Sequence, residues 1–401
     1  RGGRRRSRAR VRPEHHFGMA APRALLCAAL LSLDSARAAP CDIYAASGTP
    51  CAAAHSVVRA LYSGYSGRLY QLMRFGADGA NATLDVHASG PGGTADAASH
   101  EGFCAARPSP GWRSVGGYPP RADCVIWQIY DQTGNGNHLL PATPAINNPA
   151  YDNPVNASRH PIAVGGRRVY GAYFETGMGY RAQNTTAVAR GNEPETIYMV
   201  TSGTHANAAC CFDYGNSEND CSDRGAFCDG CMEAVYFGTG GGWCGGPGSV
   251  PSDPGPWVLA DLENGLWGCG ERGGRNPNGT GLAFDFVTAM VKGGASGFAI
   301  KGADATAGEL KLMWDGPRPP GYQPMHKTGA IILGVGGDNM ARANDADVQV
   351  PGLSIGTFYE GLLTVGYSSD AADAAVQADI VAARYGLPVQ ERARVSSALF
   401  S

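Results

Sequence analysis

Charge is scarce in this chain. Asp, Glu, Lys and Arg make up 17% of its 401 residues. Long apolar runs are missing as well: no segment approaches the roughly 18 consecutive apolar residues of a membrane-spanning helix. Basic residues are in short supply beyond the first 40 positions, which hold nine of the 32 basic and two of the 35 acidic residues. The remainder has 23 basic against 33 acidic, a net charge of −10. That balance argues against partnership with nucleic acid or an anionic membrane, and neutral ligands fit it better. There is no internal repeat and no linker-like stretch. Residues 41 to about 390 therefore read as one domain, with 391–401 as a frayed tail.

The leader differs from the rest. "RGGRRRSRARVR" places seven arginines in twelve positions. Residues 1–18 read as a disordered or upstream-translated extension, with a nucleic-acid patch as the alternative. From Met19 the pattern is that of a secretory signal over 19–38. Arg23 precedes the apolar run "ALLCAALLSL", and Ala36 and Ala38 set cleavage after Ala38. Eleven cysteines outside the leader suit an oxidising, extracellular setting. Four glycosylation sequons, at Asn81, Asn156, Asn184 and Asn278, are consistent with it.

Cys210 and Cys211 are adjacent in "ACCFDYGN". Across a trans peptide their Cα atoms would lie about 3.8 Å apart, below the usual disulfide span. They form either a strained vicinal disulfide or two neighbouring thiols, and an oxidised compartment makes the disulfide plausible. Cys41 with Cys51 and Cys104 with Cys124 bracket short loops and are expected to pair. Cys221, Cys228, Cys231, Cys244 and Cys269 are an odd set, expected to give two disulfides and one thiol of unknown connectivity; a zinc site and a redox "CDGC" are the alternatives.

Glycine and proline are abundant, at 58 and 26 residues. Between them lie short apolar runs rich in β-branched and aromatic residues, such as "ETIYMVTSG", "MEAVYFG", "PWVLADLENG", "GAIILGVGGDN" and "GTFYEGLLTVG". These predict an all-β fold, a sandwich or jelly roll. A few helices are expected beside it, over 52–63 and over 373–386, the latter capped by Gly386.

Three places could carry chemistry. In "GPWVLADLENGLW" a strand would put Trp257, Leu259, Asp261 and Glu263 on one face, the two carboxylates about 6 to 7 Å apart. A solvated strand end is the alternative. In "GAIILGVGGDNM" an apolar strand runs into Gly336 and Gly337, which would present Asp338 at the mouth of a sheet; an ordinary Asp–Asn turn is the alternative. In "CMEAVYFGTGGGWC" Glu233 sits on a strand, and Trp243 is either a sugar-stacking platform or a core residue.

Taken together, "CDIYAASGTPCAAAHSVVRALYSGYSGRLYQLMR", "IYDQTGNGNHL", "ACCFDYGN", "MEAVYFG", "GPWVLADLEN", "AIILGVGGDN" and "GTFYEG" resemble glycoside hydrolase family 54, the α-L-arabinofuranosidases, in order and from Cys41 to about Arg384. The resemblance implies a concanavalin-like β-sandwich and a secreted retaining glycosidase acting on arabinofuranose-bearing polysaccharide, with no cofactor or metal. It implies Glu263 as nucleophile and Asp338 as general acid/base. Asp261, Asn264 and the Gly337 backbone would hold sugar hydroxyls. Trp243 and a Cys210–Cys211 disulfide would be the apolar walls.

The chain also departs from that family. Gly265 stands where members commonly carry a second Asn, the Cys104–Cys124 loop is longer, and the five further cysteines look like additions. The family usually continues into a β-trefoil arabinose-binding domain, whereas this sequence stops soon after the last expected helix; weaker attachment to insoluble polysaccharide is expected, unless the chain is a fragment. A β-xylosidase or galactofuranosidase, or a non-catalytic lectin, are the competing readings.

Overall fold

The computed structural model describes residues 37–75, 81–105, 124–142, 153–219, 231–240, 244, 250–263, 265–270, 275–335 and 354–386. Among them the first element is helix α1 (Pro40–Ala46), followed by β1 (Cys51–Ser56). β2 (Arg68–Phe75) and β3 (Asn81–His87) precede helix α2 (Ala97–Cys104) and β4 (Cys124–Ile129). Then come β5 (Leu140–Pro141), β6 (His160–Val164), β7 (Arg167–Phe174), β8 (Tyr180–Ala182) and β9 (Glu195–Thr201). The middle of the chain forms β10 (Asp213–Ser217), β11 (Glu233–Gly238), β12 (Val250–Pro251), β13 (Trp257–Leu262), β14 (Gly265–Trp267) and β15 (Arg275–Asn276). Long strands close the sequence: β16 (Val287–Gly293), β17 (Gly297–Asp304), β18 (Lys311–Pro317), β19 (Ala330–Leu333) and β20 (Gly356–Thr364), then helix α3 (Asp370–Ala383).

Two antiparallel sheets face each other, as the all-β sandwich expectation requires. The first runs β18-β17-β16-β9-β20-β7-β6, with β1 also paired to β20. The second runs β14-β13-β11-β10-β19-β8-β5. Strands β10, β11 and β13 pack over β9, β16 and β17, and the main apolar core lies between them. Residues such as Ile197, Met199, Val235, Phe237, Val258 and Leu262 fill it. A three-stranded sheet, β3-β2-β4, and the small β12–β15 pair stand apart. No described helix is long and apolar enough to cross a membrane.

The helix expected over 52–63 does not form: its first residues belong to β1, all six of whose residues are buried and paired with β20 from Cys51↔Thr364 to Ser56↔Glu360, with a register shift between Cys51 and Ala53. Its alanines favour helix locally, but here their small size lets a strand fit where every side chain is enclosed, and tertiary packing overrides propensity. The first described helix, α1, begins with Pro40 at its first turn, and Asp42 reaches back to the Ala39 N–H at 3.0 Å. The last helix starts three residues earlier than expected, where Ser369 accepts from Ala372 N–H at 3.2 Å. It ends on Arg384 in the left-handed region, not on Gly386.

Buried ion pairs tie α3 to the first sheet. Lys292 and Lys301 both reach Asp373, at 2.7 and 2.6 Å. Arg59 bridges Glu360 of β20 to Asp379 of the helix.

Candidate active site

The outer face of the second sheet carries the site. Along β13, Val258, Ala260 and Leu262 enter the main core. Trp257 and Leu259 turn the other way, into a smaller cluster with Cys211, Tyr236, Cys244, Leu266 and Cys269. This is the period-two alternation read from the sequence. Asp261 continues the outer row, and its carboxylate lies within 4.8 Å of the sulfurs of Cys210 and Cys211. Those two are joined as a disulfide, with Cys210 exposed and Cys211 buried. The peptide between them is cis, with Cα atoms 2.9 Å apart in place of the trans spacing assumed above.

Beside Asp261 the sheet surface is made of small residues. Register sets Ala234 of β11 next to Asp261, Gly215 of β10 next to Ala234, and Ile332 of β19 beyond. The Cys210–Cys211 pair therefore stands by a low floor with a carboxylate at its edge. Tyr236, its hydroxyl pushed up first by burial and further by Asp213 and Asp261, borders the same face.

β13 stops at Leu262, so strand alternation does not extend to Glu263. Glu263 turns with φ of 53°, a left-handed conformation rare outside glycine and asparagine. Strain of this kind costs on the order of 1–3 kcal/mol and persists where surrounding bonds enforce it. Here the Glu263 N–H donates to Met232 O at 2.9 Å. The His326 N–H donates to Glu263 Oε1 at 2.6 Å, and His326 Nδ1 lies 3.5 Å from that oxygen. Asp261 and Glu263 are only 4% and 6% exposed, which overturns the alternative of a solvated strand end.

Glu233 is placed differently. It is fully buried between the sheets, bonded to Lys327, with Arg318 3.8 Å away. Gly293 of β16 makes room for it, since a Cβ there would overlap the Glu233 carboxylate. Lys327 also bonds Glu195 at 2.5 Å, and burial pushes Glu195 up to about 7 against the pull of that ammonium.

Trp243, Asn264, Gly337 and Asp338 lie outside the described residues. The expected pairs Cys41–Cys51 and Cys104–Cys124 are present. Of the five further cysteines, Cys244 pairs with Cys269 and Cys231 is a buried thiol, while Cys221 and Cys228 fall outside the described residues. Asn81, Asn184 and Asn278 are exposed and Asn156 is half-buried.

Sequence reasoning did not single out His326, Tyr322 or Asp213. The first two sit in "RPPGYQPMHKTG", whose prolines and glycines mark it only as a loop. Tyr322 meets Trp267 edge-on at 5.5 Å. Burial raises its hydroxyl pKa, and the carboxylates of Glu263 and Asp261 add to the rise. A Cβ on Gly265 would lie 3.3 Å from Trp267 Nε1 and 3.8 Å from the Tyr322 hydroxyl. The indole and phenol therefore crowd the direction in which an asparagine at 265 would project.

Two groups of potential metal ligands occur among the described residues: Cys210, Cys211 and Asp261, and Cys231, Glu263 and His326. The first is closed to a metal because its sulfurs are spent in a disulfide. The second offers a thiol, a carboxylate and an imidazole.

The family model described as Alpha-L-arabinofuranosidase B, catalytic, matches residues 40–386. The chain belongs to this family. It is 46% identical to the probable alpha-L-arabinofuranosidase B of Aspergillus flavus and to the alpha-L-arabinofuranosidase B of Aspergillus oryzae, each over 87% of this chain. The chain spans 63% of the length of these curated relatives. Among solved structures, a Glu-to-Gln mutant of a glycoside hydrolase family 54 α-L-arabinofuranosidase soaked with 4-nitrophenyl α-L-arabinofuranoside superposes with a TM-score of 0.71. It is 42% identical and covers 86% of this chain and 66% of its own. An arabinofuranosidase complexed with arabinofuranosyl-α-1,2-xylobiose gives a TM-score of 0.72 at 41% identity, over 87% of this chain and 66% of that one.

Proposed function

We propose that this chain is a secreted, retaining exo-α-L-arabinofuranosidase that removes terminal arabinofuranosyl groups from arabinan, arabinoxylan or related polysaccharides. The observation that carries the reading is the gathering of Asp261 and the Cys210–Cys211 disulfide on the outer face of one sheet, with Glu263 held at the end of the same strand, in a chain of this family. The relative bound to an arabinofuranosyl-xylobiose favours a branched xylan as one natural substrate.

In this reading residues 41–390 are the catalytic sandwich, preceded by an extension (1–18) and a signal peptide (19–38). Glu263 attacks the anomeric carbon. The His326 N–H at Oε1 fixes the carboxylate's orientation, and the buried Oε2, which has no hydrogen-bond partner among the described residues, is the attacking oxygen. Asp338 protonates the departing oxygen, then deprotonates the incoming water, with the two carboxyl groups about 5 to 5.5 Å apart. Asp261, Asn264 and the Gly337 backbone hold sugar hydroxyls. The disulfide and Trp243 are apolar walls: a two-residue ring has few rotamers to lose on binding, so it orders the furanose at small entropic cost.

Hydrolysis of a chromogenic α-L-arabinofuranoside by the secreted form, followed by magnetic resonance of the first-formed sugar, tests the reading. Turnover with retained anomeric configuration is expected. Inverted product, or turnover only on β-xylosides or galactofuranosides, overturns it. The crowding of Gly265 by Trp267 and Tyr322 is the one feature that favours such an altered sugar preference.

A further inference from the structure

We propose that Cys231, Glu263 and His326 form a binding site for a borderline-soft divalent cation, Zn²⁺ or Cd²⁺, at the mouth of the candidate active site. Its effect on turnover rests on the reading of Glu263 as nucleophile; the site itself does not.

Three separate stretches supply the ligands. Cys231 comes just before β11, Glu263 just after β13, and His326 from the segment leading into β19. Two backbone hydrogen bonds hold them together: Glu263 N–H to Met232 O at 2.9 Å, and His326 N–H to Glu263 Oε1 at 2.6 Å. The donor atoms all lie within 4.8 Å of one another. His326 Nδ1 and Glu263 Oε1 are 3.5 Å apart, close to the roughly 3.3 Å between two ligands about 2.0–2.1 Å from a tetrahedral ion. The Cys231 sulfur lies within 4.8 Å of both.

The donor set selects the metal. A thiolate with an imidazole and one carboxylate suits Zn²⁺ or Cd²⁺ and disfavours Mg²⁺ and Ca²⁺, which take oxygen. The charges also balance: a thiolate and a carboxylate in a buried place neutralise a divalent ion. Cys231 and Glu263 are 2% and 6% exposed, while His326 is half-buried. The soft ligand therefore lies deep and the imidazole at the rim, with the fourth position left to water. A second observation points the same way: Glu263 Oε2 is buried with no hydrogen-bond partner among the described residues. The ammonium of Lys327, the residue after His326, is committed to Glu195 and Glu233. On binding, the metal exchanges water for sulfur and the thiol proton passes to solvent. The retaining mechanism has no use for a thiol at Cys231.

The test is a Cd²⁺ titration of the disulfide-intact chain, following thiolate-to-metal charge-transfer absorbance and arabinofuranoside hydrolysis in parallel. One saturable equivalent is expected. The band should vanish in Cys231→Ser and the affinity should fall at least about tenfold in His326→Gln, with circular dichroism verifying that each variant is folded. Should Cys231→Ser fail to fold, the half-buried His326→Gln still decides. No band in the wild type, or an undiminished band in the folded variants, overturns the site. A band that fills without loss of turnover supports the site and instead overturns Glu263 as nucleophile.

Discussion

Glu233 and Glu263 sit at the ends of neighbouring strands, β11 and β13, and both are buried. Their surroundings have little else in common. Glu233 points into the space between the sheets and meets Lys327 and Arg318, in a network that also includes Glu195. Glu263 meets a backbone N–H and an imidazole. Each glutamate keeps one buried oxygen without a hydrogen bond among the described residues, Oε1 of Glu233 and Oε2 of Glu263, so it is the partner of the other oxygen that separates them. A buried carboxylate neutralised by a fixed ammonium serves the fold, because its charge has already found its partner. One held by a neutral donor keeps its reactivity for something that arrives. The contrast separates two glutamates that look equally eligible in sequence.

The largest expected effect tests the arriving partner. Glu263→Gln should lower turnover of an arabinofuranoside at least about a thousandfold while leaving the thermal midpoint nearly unchanged. Survival of turnover would break the comparison at its root.

Glu233→Gln should do the reverse. It leaves Lys327 short of a partner in the core and should cost about 3–5 kcal/mol in urea unfolding, with kcat of the folded fraction falling less than about tenfold. A variant of unchanged stability and abolished turnover would exchange the two roles.

A third kind of buried group sharpens the contrast. His100 is enclosed with the Tyr70 hydroxyl 2.8 Å from Nδ1 and is stacked on Tyr170 at 4.1 Å. Burial pushes it down from 6.5 to about 4. Between those values the unfolded chain takes up a proton that the folded one refuses, so stability rises with pH across the window and is lost as pH falls from 6.5 toward 4. At about 1.4 kcal/mol per pKa unit the loss reaches up to about 3 kcal/mol. His100→Gln should flatten the pH dependence of the thermal midpoint in that range; an unaltered slope would assign acid sensitivity to the carboxylates.

The smallest effect concerns Gly265. Because an added Cβ meets Trp267 Nε1 at 3.3 Å, Gly265→Asn should change stability by no more than about 1 kcal/mol. It should shift KM for the arabinofuranoside over β-xylosides by a few-fold. A change in kcat alone would place residue 265 away from the bound sugar.

Much of this was legible in the sequence, for reasons that differ by element. β9, β11, β13 and β20 show as apolar runs bounded by turn residues because both faces of each are buried. The alternation along β13 correctly separated Trp257, Leu259 and Asp261 from Val258, Ala260 and Leu262. β1 was hidden because its alanines carry a helical preference that enclosure overrides. Glu263 at positive φ was hidden as well, since no pattern signals a strand that ends one residue early. His326 reaches the site through a bond from its backbone N–H, and a backbone donor leaves no mark in side-chain chemistry.

That last bond gives the protein a reporter of its own. The His326 amide proton points at Glu263 Oε1, whose charge would disappear if a sugar were attached to that carboxylate as proposed. An isotope-labelled amide at this position would respond to the formation and breakdown of a glycosyl bond through its chemical shift, without any chromophore on the substrate. Under the proposed function, natural polysaccharides, which release nothing coloured, would thereby become observable at the neighbour of the proposed nucleophile.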